Sequence, residues 1–340
     1  MARYEASVGE SAALCTRILD RLLKGSLKTA PGQEQLRDLL GVLESLSPDP
    51  RTVSCAILFV GKQHGEELAA WQADLPEKVW SQLSQLVHLK QMELENMPAG
   101  AERSAEGLRR LLLALVNDVR VVLIALAWQL VCLRRAKADE KEARTLARET
   151  MLIHAPLANR LGVWQLKWEL EDLAFRFQEP EAYQRIARQV AERRKDREAF
   201  IGKFIDKLQA ALEESDIQGD VLGRPKHIYS IWKKMRRKRV DFDQVFDVRA
   251  VRALVDTVPQ CYEVLGIAHS LWRPVPGEFD DYIAQPKRNS YRSLHTAVVG
   301  DDGKPLEVQV RTREMHEHAE LGVAAHWRYK ESTRKDEELE

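Results

Sequence analysis

The chain has 340 residues, 44% of them hydrophobic and 31% charged. This composition predicts a folded protein with room for two domains. Its 52 basic and 52 acidic residues balance, so the overall charge does not favour a nucleic-acid partner, and any anion site must be a local patch. The four cysteines are far apart and form no CxxC pair. This spacing argues against structural zinc and a disulfide framework, and it suits a reducing cytosol.

The first residues, MARYEASVGE, lack the basic region and apolar core of a signal peptide. The most apolar run, Val121–Leu133, is too short to span a bilayer. We therefore expect a buried core helix there, and a cytoplasmic protein without a membrane segment.

Apolar residues recur at helical spacing through residues 1–178, which predicts an all-helical domain. Residues 179–215 are very polar and mix both charge signs, a pattern typical of a solvated connecting helical region. The helices of the first domain are predicted at Ser11–Leu23, Gln35–Leu46, Val53–Val60, Leu108–Arg134 and His154–Arg176.

Residues 216–340 mix strand and helix patterns, which predicts an α/β domain. An Asp-Gly pair between two alternating apolar runs predicts a hairpin. The predicted elements are a strand over Phe246–Val255, a helix over Val258–Trp272, hairpin strands over Ser293–Gly300 and Leu306–Arg311, and a last helix over Arg313–Lys330.

The segment Gly223–Arg239 is strongly basic and contains no acidic residue. Basic side chains near the start of a helix suit phosphate groups through charge-assisted hydrogen bonds. We expect Arg224, Lys226 and Lys234 to bind phosphate, whereas the run Arg236–Arg239 is better explained as a solvated basic face.

Two carboxylates, Asp247 and Glu307, lie on predicted strands. Such a pair can hold Mg²⁺ between polyphosphate oxygens, and one member could take a proton from an attacking hydroxyl. The alternative is a pair of solvated strand-edge acids. Gln309 and Arg311 lie on the same predicted strand as Glu307 and point to the same face of it. This face can therefore build a polar site.

The stretch from Gly277 predicts a loop that joins an acidic cluster to a basic, hydrogen-bonding run. Cations and an aromatic ring beside carboxylates suggest a polyphosphate and a base as ligands. The alternative is a solvated edge hairpin in which the tyrosine is half-buried. The acidic residues are Glu278, Asp280 and Asp281, and the run contains Lys287, Asn289, Tyr291 and His295.

Together these stretches closely resemble the synthetase domain of the RelA/SpoT homologue family. The resemblance is carried by GRPKHIYSIWKKM (Gly223–Met235), FDVRAVRALV (Phe246–Val255), the loop from Gly277, and EVQVRTREMHEHAELGVAAHWRYK (Glu307–Lys330). A further stretch, HAPLANRLGVWQLKWELEDLAF, resembles the segment that joins the two catalytic halves of the family.

The resemblance implies a pyrophosphokinase that moves the β,γ-pyrophosphate of ATP to the 3′-hydroxyl of GDP or GTP. It implies a multidomain fold: an all-helical HD-type domain, then a nucleotidyltransferase-like α/β domain with a mixed sheet.

Each motif residue then acquires an implied role. Arg224, Lys226 and Lys234 would contact ATP, and Asp247 would hold Mg²⁺. Glu307 would bind Mg²⁺ or act as the base. The acceptor GDP or GTP would be bound by Lys287, Asn289, Tyr291, His295 and Gln309, with Tyr291 stacked on guanine.

One departure from the bifunctional members lies in the acceptor loop. Those members carry Arg-x-Lys-Asp, whereas this chain has Glu278-Phe279-Asp280-Asp281, the acidic version of synthesis-only RelA-type members.

A second departure lies in the first half. Phe59 and Val60 align with the family's metal-binding His-Asp pair, and Trp128 and Cys132 fall where its later Asp and Asn should be. Because apolar residues cannot hold Mn²⁺, the resemblance implies a helical domain that has lost its hydrolase site.

RelA-type proteins continue into regulatory domains that contact the ribosome and deacylated tRNA. We therefore expect this chain to be an N-terminal catalytic portion, with those contacts made only by regions beyond it. Two alternatives stay open at this point. One is a non-catalytic module that binds guanine nucleotides or (p)ppGpp, and the other is a bifunctional synthetase-hydrolase.

Overall fold

The structure is a computed structural model, and it describes residues 2–46, 48–95, 118–137, 141–192, 194–224, 227–242, 249–287 and 289–322. Packing divides the chain into two compact units that part between Ala158 and Asn159. Among the described helices, none combines the length and the apolar character needed to cross a membrane.

The first unit is helical, as predicted. Helix Thr150–His154 is a single π-helical turn, and Leu68–Trp71 is a short 3₁₀ helix. The α-helices are Ala2–Lys24 (α1), Ala30–Glu44 (α2), Pro50–Gln63 (α3), Glu77–Glu95 (α4), Val119–Arg135 (α5), Lys141–Glu149 (α6) and Ala155–Arg160 (α7), the last of which spans the division.

Helix α5 is the centre of this unit, because nearly all of its residues from Val121 to Leu133 are buried. Its start is fixed by Asp118, whose carboxylate accepts from the backbone and side chain of Arg120. Arg120 also donates to Asp49, the residue that caps α3 by accepting from Arg51 N and Thr52 N. A buried core helix was predicted here from Leu108. Residues 101–117 lie outside the described residues.

The second unit is built on a mixed sheet with the strand order β1-β2-β5-β4-β3. Strand β2 runs parallel to β5, and the other neighbours are antiparallel. The predicted hairpin is confirmed as β4 and β5. The strands are Gly219–Gly223 (β1), Ala250–Val255 (β2), Arg273–Asp281 (β3), Leu294–Val299 (β4) and Pro305–Thr312 (β5).

The helices of the second unit are Trp164–Gln178 (α8), Pro180–Glu192 (α9), Arg194–Glu214 (α10), Ile228–Lys238 (α11), Val258–Leu271 (α12) and Arg313–Leu321 (α13). Apolar residues of the sheet, α10 and α12 form one buried core. Three of its members, Phe204, Leu208 and Leu212, come from α10. The interpretation of residues 179–215 as a solvated connecting region therefore fails for α10, because its apolar stripe is buried on the sheet.

The division of the chain differs from the predicted boundary at residue 178. Helix α8 lies in the second unit, where Phe175 packs against Trp232 of α11 with ring centroids 4.7 Å apart. The helix predicted over His154–Arg176 is in fact interrupted between α7 and α8, at Gly162, whose φ is +74°.

Two other local predictions differ from the structure. The acidic cluster from Glu278 to Asp281 was predicted as a loop, but it forms the end of edge strand β3. An edge strand tolerates charged side chains because one side of its ladder is open. The basic helix was predicted from about Gly223, yet α11 begins only at Ile228.

We predict that Leu208→Ala destabilises the protein by about 2–5 kcal/mol, because Leu208 is fully buried in the sheet core. Its helix neighbour Lys203 is exposed, so Lys203→Ala should change the unfolding free energy by no more than about 0.5 kcal/mol. Urea unfolding of the two variants measures the difference. Equal midpoints for both would contradict the packing of α10.

We also predict opposite effects of alanine at two glycines. Gly322 has φ +56°, and a Cβ there would lie 2.2 Å from the carbonyl oxygen of Leu161, so Gly322→Ala should cost about 1–3 kcal/mol. Gly266 is exposed within α12 and has open space around it, so Gly266→Ala should stabilise by about 0.5–1 kcal/mol. Thermal unfolding gives both signs.

Candidate active site

The polar face of β5 forms the floor of the candidate site. Glu307, Gln309 and Arg311 alternate with the buried Leu306, Val308 and Val310, as predicted. Gln309 and Arg311 are nevertheless almost fully buried, each 1% exposed. Both faces of β5 are thus covered, so its polar side chains must find partners inside the protein.

Three adjacent strands bring a cation and a carboxylate together. Arg224 directly follows β1, and its N–H donates to the carbonyl of Ala250 over 2.9 Å. Ala250 opens β2 and is in register with Glu307 on β5. At this level of the sheet, Arg224 Nη1 donates to Glu307 Oε1 over 2.9 Å. Both side chains are less than a fifth exposed, at 18% and 17%.

His295 of β4 completes this contact from the other side. Its Nδ1 lies 3.3 Å from Glu307 Oε1, and its Nε2 accepts from the Tyr291 hydroxyl over 2.9 Å. Burial lowers the pKa of His295, although the hydrogen bond to Glu307 opposes that shift. The ring is therefore neutral at pH 7, and these partners place its proton on Nδ1, facing Glu307.

Gln309 links this cluster to a second one. Its amide nitrogen donates to the Tyr291 hydroxyl, and its Oε1 accepts from Arg252 Nε over 3.0 Å. Arg252 and Arg311 both approach Glu320 Oε1 of α13, at 3.5 Å and 3.0 Å. Burial and the charge of Arg311 lower the pKa of Arg252 to about 10, so the Arg252 guanidinium stays charged at pH 7.

The predicted acceptor loop reaches the same place. Lys287 lies over the ring of Tyr282 at 4.0 Å and over that of Tyr291 at 5.2 Å. Burial lowers the pKa of Lys287. Asn289 instead donates from its side chain to the carbonyl of Asn159 over 3.2 Å, so its amide anchors the loop.

The acidic residues of β3 have structural partners. Asp281 accepts from the Tyr262 hydroxyl over 2.9 Å and from the backbone N–H groups of Ile283 and Ala284. Glu278 lies 3.5 Å from Lys238 Nζ, and Asp280 is in register with His295. These contacts fix the turn that follows β3.

Two predicted residues, Lys226 and Asp247, lie outside the described residues. The structure also adds residues that sequence reasoning missed: Trp164, Trp168, Arg252 and Glu320. Arg252 lies within the strand predicted over Phe246–Val255, but nothing in the sequence marked it as a site residue. The two tryptophans, spaced four apart on α8, gave no signal beyond helical periodicity.

Two cavities of the second unit meet at Arg224. The larger, of about 290 Å³, lies between α8 and α11. Its cations Lys167, Arg224, Lys233, Lys234 and Arg237 face one carboxylate, Glu171.

The smaller cavity, of about 90 Å³, lies over β5. Its cations Arg224, Arg252, Lys287 and Arg311 face one carboxylate, Glu320. Both cavities are also lined by Trp164 and Trp168. An excess of positive charge in each one suits polyanionic ligands.

The donor set fits Mg²⁺ only in part. Among the residues that the structure describes, no three His, Cys, Asp or Glu side chains are grouped to hold a metal. Mg²⁺ commonly uses one or two carboxylates together with substrate phosphates, and Glu307 offers one carboxylate beside Arg224, which lines both cavities. The described side chains therefore fit an ion that is held mainly by its substrates.

In the first unit, the positions that the resemblance assigns to a lost hydrolase site are apolar and packed. Phe59 and Val60 are fully buried, and Trp128 is 7% exposed. The rings of Phe59 and Trp128 meet edge to face, with centroids 5.5 Å apart. Burial raises the pKa of Cys132 to about 11, which keeps this thiol protonated at pH 7.

Each half of the chain matches a protein-family model. A family model described as the region found in RelA / SpoT proteins matches residues 223–334, and an HD domain model matches residues 22–164. The GTP pyrophosphokinase of Photobacterium angustum is 46% identical over 308 residues, covering 87% of this chain and 41% of the relative. That of Escherichia coli K12 is 44% identical over 302 residues, covering 86% and 40%.

Among solved structures, the small alarmone synthetase 1 of Bacillus subtilis matches 46% of this chain and 95% of its own, at 24% identity and a TM-score of 0.34. That TM-score is too low to align individual side chains. The chain spans about 40% of the length of the two curated relatives above. Both family models and the high identity across most of its residues show that the chain belongs to the RelA/SpoT protein family.

Proposed function

We propose that this chain is a GTP pyrophosphokinase. It transfers the β,γ-pyrophosphate of ATP to the 3′-hydroxyl of GDP or GTP, giving ppGpp or pppGpp and AMP in the stringent response. The observation that carries the proposal is the pair of cation-rich cavities that meet at Arg224, the residue that donates to Glu307. A transfer between two nucleotides needs two polyanion sites with a proton acceptor where they join. The names of the relatives support the same reaction.

We assign the larger cavity to ATP. Lys234 and Arg224 line it, as expected from the sequence, and Lys233 and Arg237 add further charge. Phosphoryl-type transfer depends mostly on positioning and on neutralising the charge of the phosphates. The tryptophan side chains of α8 give this cavity an apolar wall against which a base can lie.

We assign the smaller cavity to GDP or GTP. At about 90 Å³ it is well below the usual size of a ligand pocket, so the acceptor can enter only if side chains around Tyr291 move. Arg311 lines this cavity, and its buried Nε has no hydrogen-bond partner in the described part of the chain. An oxygen of the acceptor nucleotide would satisfy that donor.

Glu307 is the proposed base, because it is hydrogen-bonded to Arg224 where the two cavities meet. In the reaction the 3′-oxygen forms a bond to the β-phosphorus of ATP, the bond between that phosphorus and the α,β-bridging oxygen breaks, and AMP leaves. The proton of the 3′-hydroxyl goes to Glu307. Arg224 and His295 orient this carboxylate, and neutral His295 donates to it without competing for the proton.

Glu307 would also hold Mg²⁺, with Asp247 as a second ligand from a segment outside the described residues. The ion would neutralise phosphate charge when bound. Two features support a synthesis-only enzyme with an inactive hydrolase half. One is the set of apolar positions in the first unit, and the other is the acidic motif Glu278, Asp280 and Asp281. We assign any contact with the ribosome or deacylated tRNA to the parts of longer relatives outside the aligned region.

We predict that Glu307→Gln lowers the rate of product formation about 10²–10⁴-fold, because the amide cannot accept the proton. The measurement is chromatographic separation of products from ATP with GDP, and from ATP with GTP, in the presence of Mg²⁺. Glu314→Gln is the matched control, since Glu314 is exposed on α13. Full activity of Glu307→Gln would exclude its role as base. If the unaltered protein bound both nucleotides tightly and formed no product, it would instead be a binding module.

We predict that the chain releases no pyrophosphate from ppGpp in the presence of Mn²⁺. The apolar side chains of Phe59, Val60 and Trp128 offer no ligand for the ion. The assay follows GDP and pyrophosphate over hours by anion exchange, with a hydrolase-competent member of the family as the positive control. Steady release that scales with protein concentration would show that the first unit has kept its hydrolase.

A further inference from the structure

Helix α8 presents one face to both sides of the candidate site. Four of its residues, Trp164, Trp168, Asp172 and Phe175, recur at helical spacing along that face. Trp164 packs against Tyr291, with ring centroids 5.4 Å apart. Farther along the helix, the other three contact successive residues of α11.

The contact made by Asp172 is unusual because it caps another helix. Its Oδ1 accepts from Tyr229 N over 2.8 Å, and its Oδ2 accepts from Ile228 N over 3.3 Å. These are the first two residues of α11. The N-cap residue His227 makes no capping hydrogen bond with its own side chain. Asp172 therefore supplies the acceptor that a Ser, Asp or Asn would ordinarily supply at that position.

Two ring contacts hold the same end of α11. His227 Nδ1 lies 3.4 Å from Asp172 Oδ2, and the His227 ring stacks on Trp168 with centroids 4.7 Å apart and planes inclined by 22°. Trp168 in turn has the Arg224 guanidinium 6.0 Å from its ring centroid. One turn of α8 thus contacts both His227 and Arg224.

Arg224 and the start of α11 are each held by a backbone contact. The Arg224 N–H donates to Ala250 on the sheet, and Asp172 accepts from the first two residues of α11. Helix α11 therefore carries Lys233 and Lys234 into the larger cavity from a fixed start.

The charge of Asp172 is also accounted for. A carboxylate beside a cationic cavity would repel a polyphosphate if it faced that ligand. Here its oxygens are turned to backbone N–H groups and to His227, at the positive end of the α11 dipole. Asp172 can therefore position the cations of the cavity without weakening their attraction for phosphates.

We infer that Asp172 is a positioning residue for the donor nucleotide, acting through the start of α11 on Arg224 and Lys234. The inference rests on the proposed function, in that the larger cavity is taken as the ATP side. It implies that Asp172 affects binding of ATP and leaves binding of the acceptor nucleotide almost unchanged.

The test compares Asp172→Ala and Asp172→Asn with Gln165→Ala, an exposed position on the same helix. Loss of a helix cap weakens the held conformation about 5–10-fold, so Asp172→Ala should raise the KM for ATP by about that factor while the KM for GDP changes less than about twofold. Asp172→Asn keeps an acceptor oxygen and should recover part of the loss. Gln165→Ala should match the unaltered protein.

Binding is measured separately, by calorimetric titration with GDP and with the methylene-bridged ATP analogue AMPCPP. If the unaltered protein binds both nucleotides and forms no product, the proposed function fails, while the AMPCPP affinity of the variants still decides the role of Asp172. Should Asp172→Ala, folded by circular dichroism, lose affinity for GDP and AMPCPP equally, or for neither, the inference is overturned. If Asp172→Ala does not fold, an equal loss of both affinities in Asp172→Asn overturns it.

Discussion

The contact among Arg224, Glu307 and His295 is the interaction on which the candidate site of the second unit depends. It joins β1, β5 and β4 at the level where Ala250 pairs with Glu307. A carboxylate buried to this extent needs charged or hydrogen-bonding partners. Since the partners come from both sides of β5, the carboxylate is held beside Arg224, which lines both cavities, and its position depends on the strand register.

Buried positive charge is the second constraint. Arg252 and Arg311 share the single carboxylate Glu320, and the buried Nε of Arg311 has no partner within the described residues. Such an arrangement costs stability, because each desolvated cation is only partly compensated. The same excess charge gains favourable interactions once a polyanion enters the cavity. The fold therefore gives up part of its stability to keep these cations buried, and binding of the acceptor recovers favourable interactions with them.

The sequence predicted the strands of this site better than it predicted the helices that pack over them. Alternation placed Glu307, Gln309 and Arg311 on one face of β5, and the Asp-Gly pair located the hairpin. The alternation and the Asp-Gly pair do not show that α8 and Glu320 of α13 cover that face. Helical periodicity identifies the apolar stripe of a helix, but it does not identify the element against which that stripe packs. The same limit explains α10, whose charged residues suggested a solvated helix although its apolar stripe is buried on the sheet. The acidic motif was predicted as a loop because charge and glycine are common to loops and edge strands.

Helix α8 contacts both sides of the candidate site. Trp164 contacts Tyr291 on the acceptor side, and Trp168 contacts His227 on the donor side, one turn apart on a single helix. An α-helix rises about 6 Å over four residues and is stiff on that scale. The acceptor cavity must enlarge to admit a nucleotide, and Trp164 lines it. Because Trp168 and Asp172 hold the same helix against the start of α11, we expect the side chains around Tyr291, rather than α8 itself, to make that room.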